Sequence, residues 1–137
     1  MPVAQPLLDA ARADDPAALD MINVWSHSSR ARLGSNSAPG MWMLGSSLRL
    51  MERQAAGVLY SDFKACSDYA RGADAAARVA CPTLIVIGSH DQMTPPRASL
   101  DLLKTIPHAR SVTLEGGGHA LMAEEPDAVL DALIGFL

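Results

Sequence analysis

The feature that most constrains the fold of this chain is a short apolar run in its second half, Thr83–Gly88. The run is Thr-Leu-Ile-Val-Ile-Gly, is rich in β-branched residues, and follows Pro82. A strand that is apolar on both faces belongs inside a parallel sheet that is covered on both sides. The sequence therefore predicts an α/β protein.

A strand-helix-strand unit is predicted around this run. Thr94–Pro96 opens a helix that runs to about Thr105, and Ser111–Glu115 alternates polar and apolar residues, as an edge strand does. Parallel strands need a crossover of this kind. A last amphipathic helix is predicted from Pro126 to Leu137.

The first part of the chain, residues 1–78, predicts helices and no strand. Asp14–Pro16 supplies a helix N-cap followed by proline, and apolar residues recur at helical spacing in Met41–Met51 and again in Leu59–Ala70. The turn-forming stretch Gly34–Gly40 precedes the second of these helices. We therefore divide the chain into a helical segment, residues 1–78, and an α/β segment, residues 79–137.

Composition excludes several classes of protein. The 137 residues are 49% apolar, which is enough for one packed domain, and the net charge of −4 with scattered arginines argues against a nucleic-acid binder. No apolar stretch approaches the ~20 residues of a membrane span and the N-terminus lacks a signal-peptide pattern, so we expect a cytoplasmic protein. Cys66 and Cys81 form no CxxC pair, so we expect small core residues in a reducing compartment and no metal site.

Two loops carry the candidate catalytic residues, because each follows the carboxyl end of a predicted strand. Asp91 lies in the first loop and His119 in the second, directly after three glycines that permit a sharp turn. Parallel neighbouring strands would bring both loops to the same rim of the sheet. A carboxylate bonded to one imidazole nitrogen leaves the other nitrogen to act as a general base. Taken singly, each residue is more often an ordinary turn or loop residue, whereas the ordered combination favours a catalytic pair.

Other titratable residues are given lesser roles. His90 is adjacent to Asp91, but neighbours on an extended loop point apart. His27 and His108 are predicted to be solvated, and Glu124 and Glu125 to cap the last helix.

The order of these features resembles the α/β-hydrolase family. Cys81–Pro96 is similar to the family's seventh strand and acid loop, and Gly116–Pro126 to its catalytic-histidine loop and last helix. The resemblance implies that residues 79–137 are the C-terminal part of the fold, with its last two parallel strands. It also implies that Asp91 is the acid and His119 the base of a catalytic triad.

The same resemblance places residues 1–78 where the family inserts a helical cap over the active site. An apolar substrate pocket would then be lined by Trp25, Met41, Trp42, Met43 and Met51. Ordinary helix packing by these side chains is the favoured alternative.

One departure from the family limits what this chain can do. Family members carry the nucleophile on a G-x-S-x-G turn between strand and helix, and order the triad as nucleophile, acid, histidine. This sequence has no such turn, nor its Cys or Asp equivalent, and Ser37 follows no predicted strand. The oxyanion-hole donor next to the nucleophile is missing with it. We therefore interpret the sequence as the C-terminal portion of a longer hydrolase, inactive without the missing N-terminal half.

The resemblance implies a serine-type hydrolase of a small apolar ester, lactone or related carbonyl substrate, with no metal or organic cofactor. A non-catalytic module that binds a small molecule or a partner chain is the alternative. A third interpretation keeps the fold and changes the reaction to that of dehalogenases, epoxide hydrolases, C–C bond hydrolases or cofactor-free haloperoxidases. Fold alone does not choose among these reactions.

A physical consequence follows for the strand Leu84–Ile87. With a single strand beside it, its other edge would be apolar and unpaired, and such edges pair with another chain. The sequence therefore predicts self-association.

Overall fold

A computed structural model of the chain describes residues 3–32 and 40–137. The predicted turn at Gly34–Gly40 lies outside these residues except for Gly40, and so does Ser37. The elements in chain order are α1 (Gln5–Arg12), α2 (Ala17–Ser26), α3 (Ser29–Arg32), α4 (Met43–Met51), α5 (Val58–Asp68), α6 (Gly72–Ala76), β1 (Leu84–Gly88), α7 (Pro96–Thr105), β2 (Arg110–Leu114), α8 (Leu121–Glu124) and α9 (Pro126–Ile134).

The two strands form the predicted parallel pair. Leu84 of β1 lies opposite Arg110 of β2, and the register continues to Gly88 opposite Leu114. Helix α7 connects the strands, and both α7 and α9 contact β1. The α/β fold class and the strand-helix-strand unit are confirmed, and in the described part of the chain every element before β1 is a helix.

The helical segment has its own small core. Leu7 and Ala11 of α1 and Ala18 of α2 are buried together, and Met93 from the loop after β1 packs against them. The acid loop is therefore in contact with the first two helices. Asp15 accepts a hydrogen bond from the N–H of Ala17, the first residue of α2, at 2.9 Å. The N-cap position is occupied by Pro16, which makes no side-chain cap hydrogen bond.

Two predictions about cysteine and histidine burial are wrong. Cys66 and Cys81 are both exposed free thiols. Helix α5 packs against the helical core with Leu59 and Phe63, but these side chains are only partly buried and Cys66 lies exposed. His27 is 2% exposed because it lies at the junction of α2 and α3, where its Nδ1 is 2.8 Å from the Asn23 carbonyl oxygen. His108 is exposed, as predicted.

The prediction that two glutamates cap the last helix is also wrong. Glu125 occupies the N-cap position of α9 but makes no side-chain cap hydrogen bond, and instead pairs with Arg30 at 3.0 Å. Glu124 ends the separate short helix α8, where its carboxylate is buried. The sequence pattern did not indicate α8, because a four-residue helix is too short to show a period.

The outer edge of β1 is defined by the register of its hydrogen bonds. The Arg110 N–H donates to the Thr83 carbonyl and the Ser89 N–H to the Leu114 carbonyl, so odd-numbered residues of this stretch face β2. The N–H and C=O groups of Val86 therefore point away from β2. Within residues 3–32 and 40–137 no strand pairs with that edge. None of the described helices is long and apolar enough to cross a membrane.

We expect the 137-residue chain to self-associate at micromolar concentration through this edge of β1. Val86→Pro removes an outward N–H without touching the β1–β2 ladder, so it should shift the chain towards monomer in analytical ultracentrifugation. Thr113→Pro is the matched control, because Thr113 faces the outer edge of β2. A well-folded wild-type monomer would contradict the prediction, as would equal effects of the two prolines.

Candidate active site

Asp91 is held at the carboxyl end of β1 by a tight turn. Its N–H donates to the Gly88 carbonyl at 3.2 Å, and its Oδ1 accepts the Thr94 N–H at 2.8 Å. An aspartate that bonds the backbone a few residues ahead fixes its own side chain in this way. Its second oxygen, Oδ2, is left to face the neighbouring loop.

The loop that carries His119 is bonded along its length to the acid loop. The Ser89 N–H donates to Leu114, the His90 N–H donates to Gly117 at 2.9 Å, and the Gly116 N–H donates to Ser89 Oγ at 2.8 Å. Gly116 has a φ of 80°, a conformation that glycine adopts without steric cost. The two loops therefore form one hydrogen-bonded unit above the ends of the strands.

Gly88 lets these two loops approach each other. A Cβ at this position would lie 2.0 Å from the Gly118 carbonyl oxygen and 2.6 Å from that of Gly117. Both collisions are with backbone, which cannot rotate away as a side chain can. Only glycine fits at the end of β1 in this arrangement.

The geometry brings the two predicted residues together. His119 Nδ1 lies 2.8 Å from Asp91 Oδ2, and the side chains are 47% and 10% exposed respectively. A carboxylate accepts a hydrogen bond, so Nδ1 carries the proton in this pair, and Nε2 of the neutral ring is an acceptor. The arrangement is able to take a proton at Nε2 and to stabilise the imidazolium that results.

The helical segment also forms hydrogen bonds with the histidine loop and with α8, which follows it. The Ser26 carbonyl, at the end of α2, accepts the N–H groups of both His119 and Ala120 at 2.9 Å. Glu124 Oε2 accepts the Ser28 N–H at 3.0 Å. The sequence gives no indication of the Ser26 contact, because a backbone carbonyl leaves no residue-type pattern.

The five apolar candidates for the substrate pocket do not share one environment. Trp25 packs against the helical core, Met43 is buried, and Met41 is about half exposed. Trp42 is 75% exposed and its ring lies over Gly45, where a Cβ would be 2.1 Å from the indole. The helix predicted from Met41 begins at Met43, so Met41 and Trp42 precede α4.

Met51 lines a cavity of about 260 Å³ between α1, α2, α4 and α5. Ala11, Ala18 and Leu59 form its apolar wall, and neither Asp91 nor His119 reaches it. Substrate binding by these five residues stays a prediction. In the described ranges, no three His, Cys, Asp or Glu side chains are grouped closely enough to hold a metal ion.

Comparison with known proteins identifies the fold family of the chain. The sequence profile of the alpha/beta hydrolase fold family matches residues 12–126. ABHD14B from Rattus norvegicus is 40% identical over 72 residues, which are 53% of this chain and 33% of that protein. A pimeloyl-[acyl-carrier protein] methyl ester esterase from Xanthomonas campestris pv. campestris is 35% identical over 63 residues, or 46% of this chain and 25% of that protein.

The structure superposes on an enol-lactonase from Burkholderia xenovorans LB400 with a TM-score of 0.78 and 21% identity. The superposition covers 96% of this chain and 48% of the lactonase, which supports the fold alone. This chain belongs to the α/β-hydrolase fold family. It spans about half the length of the solved structure and the matches span a third or less of the curated relatives.

We expect Gly88→Ala to disrupt the site and to lower the free energy of unfolding by about 1–3 kcal/mol, because the new methyl group collides with backbone. Urea denaturation measures the change. Gly72→Ala is the matched control, since its Cβ would meet only the Tyr69 ring at 3.5 Å, an ordinary contact. Equal stability of Gly88→Ala and wild type would show that the loops are not in contact as described.

Proposed function

We propose that this chain supplies the acid and the base of a serine-type hydrolase that acts on a small apolar ester, lactone or related carbonyl substrate. The observation that carries the proposal is the 2.8 Å hydrogen bond between His119 Nδ1 and Asp91 Oδ2 at the carboxyl ends of parallel strands. Membership of the α/β-hydrolase fold family supports it further.

In the proposed reaction, His119 Nε2 removes the proton of the nucleophile as that oxygen attacks the substrate carbonyl carbon. The resulting imidazolium is stabilised by Asp91, and its proton then passes to the leaving alkoxide as the acyl–oxygen bond breaks. A water molecule attacks the acyl group in a second cycle of the same proton transfers. The chemistry of this pair needs no metal or organic cofactor.

The nucleophile and the oxyanion hole belong to the part of the fold that these 137 residues do not contain. The sequence has no G-x-S-x-G turn, and the solved lactonase is about twice as long as its matched region. We propose that this missing part is the main partner of the chain and that it pairs with the open edge of β1.

The substrate class rests on two observations. Two of the similar proteins are an ester esterase and an enol-lactonase, both named for cleavage of an acyl–oxygen bond. Large apolar side chains, among them Trp42 and Met41, are exposed on the helical segment that we propose as a cap.

Free, exposed Cys66 and Cys81 support a cytoplasmic location, where thiols remain reduced.

A non-catalytic binding module is the second candidate, and the observation that favours it is the absence of a nucleophile turn from the sequence. The two candidates differ in what the coding sequence upstream of Met1 would contain. A strand followed by a nucleophile turn supports the enzyme, and a continuous sequence without one supports the binding module.

We expect His119→Ala to lower the rate of ester hydrolysis by about 10⁶-fold when the chain is joined to the upstream half of its fold, because the general base is lost. Asp91→Asn should lower it by about 10⁴-fold, since the carboxylate no longer orients the ring. Initial rates on short-chain aryl esters measure both. His108→Asn is the control, because His108 is exposed, lies away from the loops and has a φ of 61°, which asparagine tolerates better than alanine. Unchanged hydrolysis by His119→Ala would reject the proposed roles.

The 137-residue chain by itself should show negligible triad-type turnover. An active-site serine probe of the fluorophosphonate class should leave it unlabelled, because the sequence has no G-x-S-x-G turn to supply an activated serine and the oxyanion-hole donor next to it. Burst kinetics together with covalent labelling of this chain would overturn the prediction.

A further inference from the structure

Glu124 stands apart from the other acidic residues of the chain. Among the described residues it is the one carboxylate that is buried, at 3% exposure. Burying a carboxyl group is costly unless hydrogen bonds compensate for the lost water, so its position calls for a structural reason. Its Oε2 accepts the Ser28 N–H at 3.0 Å, across a sequence separation of 96 residues.

The glycine before His119 is packed between the two partners of that bond. A Cβ at Gly118 would lie 2.5 Å from Glu124 Oε1 and 2.7 Å from the Ser28 nitrogen. The backbone of Gly118 is therefore in direct contact with both the carboxylate and the link between α2 and α3. The histidine loop therefore cannot move towards Glu124 or Ser28 without a steric clash.

The same link is bonded to the histidine loop at its other end. Ser26 accepts the N–H groups of His119 and Ala120, two residues before the N–H that Glu124 binds. Residues 26–28 are thus fastened at both ends to the segment that carries His119. A shift of this link would move the backbone of His119 directly.

We propose that Glu124 is a positioning residue, whose carboxylate clamps residues 26–28 against Gly118 and so holds His119 Nδ1 within reach of Asp91. The effect of Glu124 on hydrolysis rests on the proposed function, whereas its effect on the position of His119 does not. A productive site must be held to within about 0.5 Å, and one methylene of the Glu124 side chain exceeds that tolerance.

The test separates the length of the side chain at position 124 from its charge. Glu124→Asp keeps the charge but is too short to bind Ser28, whereas Glu124→Gln keeps the reach and an acceptor oxygen. Glu125→Asp is the matched control, because the neighbouring Glu125 pairs with Arg30 at the surface. The measurement is the ratio of the two imidazole tautomers of His119 by ¹⁵N NMR of the 137-residue chain, assigned with His119→Gln and compared with Asp91→Asn.

We expect wild type, Glu124→Gln and Glu125→Asp to keep His119 protonated at Nδ1. In Glu124→Asp the ratio of the Nδ1-protonated to the Nε2-protonated tautomer should fall by about tenfold, towards that of Asp91→Asn. The reason is that the hydrogen bond between His119 and Asp91 would be lost, and a hydrogen bond to a charged group is worth at least that factor. A role limited to stability would lower the melting temperature and leave the tautomer unchanged. A folded Glu124→Asp chain with the wild-type ratio overturns the proposal.

If Glu124→Asp does not fold, Gly118→Ala is the deciding variant. Its methyl group would push the histidine loop away from Glu124 and Ser28. A shifted tautomer ratio in a folded Gly118→Ala chain supports the clamp, and the wild-type ratio rejects it. None of these readouts requires turnover. A tautomer shift without hydrolysis in the joined protein would refute the proposed function alone, and hydrolysis that is sensitive to His119 with no tautomer shift would refute the clamp alone.

Discussion

The close approach of two backbone segments is the constraint on which the rest of this structure depends. Gly88 ends β1 directly against the carbonyl groups of Gly117 and Gly118, with no space for a side chain between them. Because the loops touch there, the N–H of His90 reaches Gly117 and the carboxylate of Asp91 faces the next loop. The approach of Asp91 to His119 thus depends on the absence of a side chain at Gly88, at the end of the strand.

The helical segment completes this arrangement from above the sheet. Met93, two residues after Asp91, packs into the core formed by α1 and α2, and the end of α2 accepts two N–H groups from the histidine loop. Each of the two loops is therefore held by the sheet on one side and by helices on the other. These contacts restrict the backbone of both loops, while the His119 side chain itself is 47% exposed.

The parallel strands and the juxtaposition of Asp91 with His119 could be predicted from the sequence, because both follow from local pattern and from the direction of parallel strands. The burial of His27 and Glu124 could not be predicted. Glu124 is buried by a contact with Ser28, 96 residues earlier in the chain, and His27 lies at the α2–α3 junction, beside Gly118. Residue type encodes neither of these contacts. The exposure of Cys66 has a related cause, because an apolar residue on a helix is buried only if another element covers its face of that helix.

The contact made by Ser26 has an evolutionary consequence. It holds the histidine loop through its carbonyl oxygen, a group that every amino acid possesses. Substitution at position 26 therefore leaves the bond chemically intact, whereas Gly118 and Glu124 contribute features that few residue types can replace. Changes of side chain on the exposed faces of the helical segment therefore leave its hydrogen bonds to the histidine loop in place.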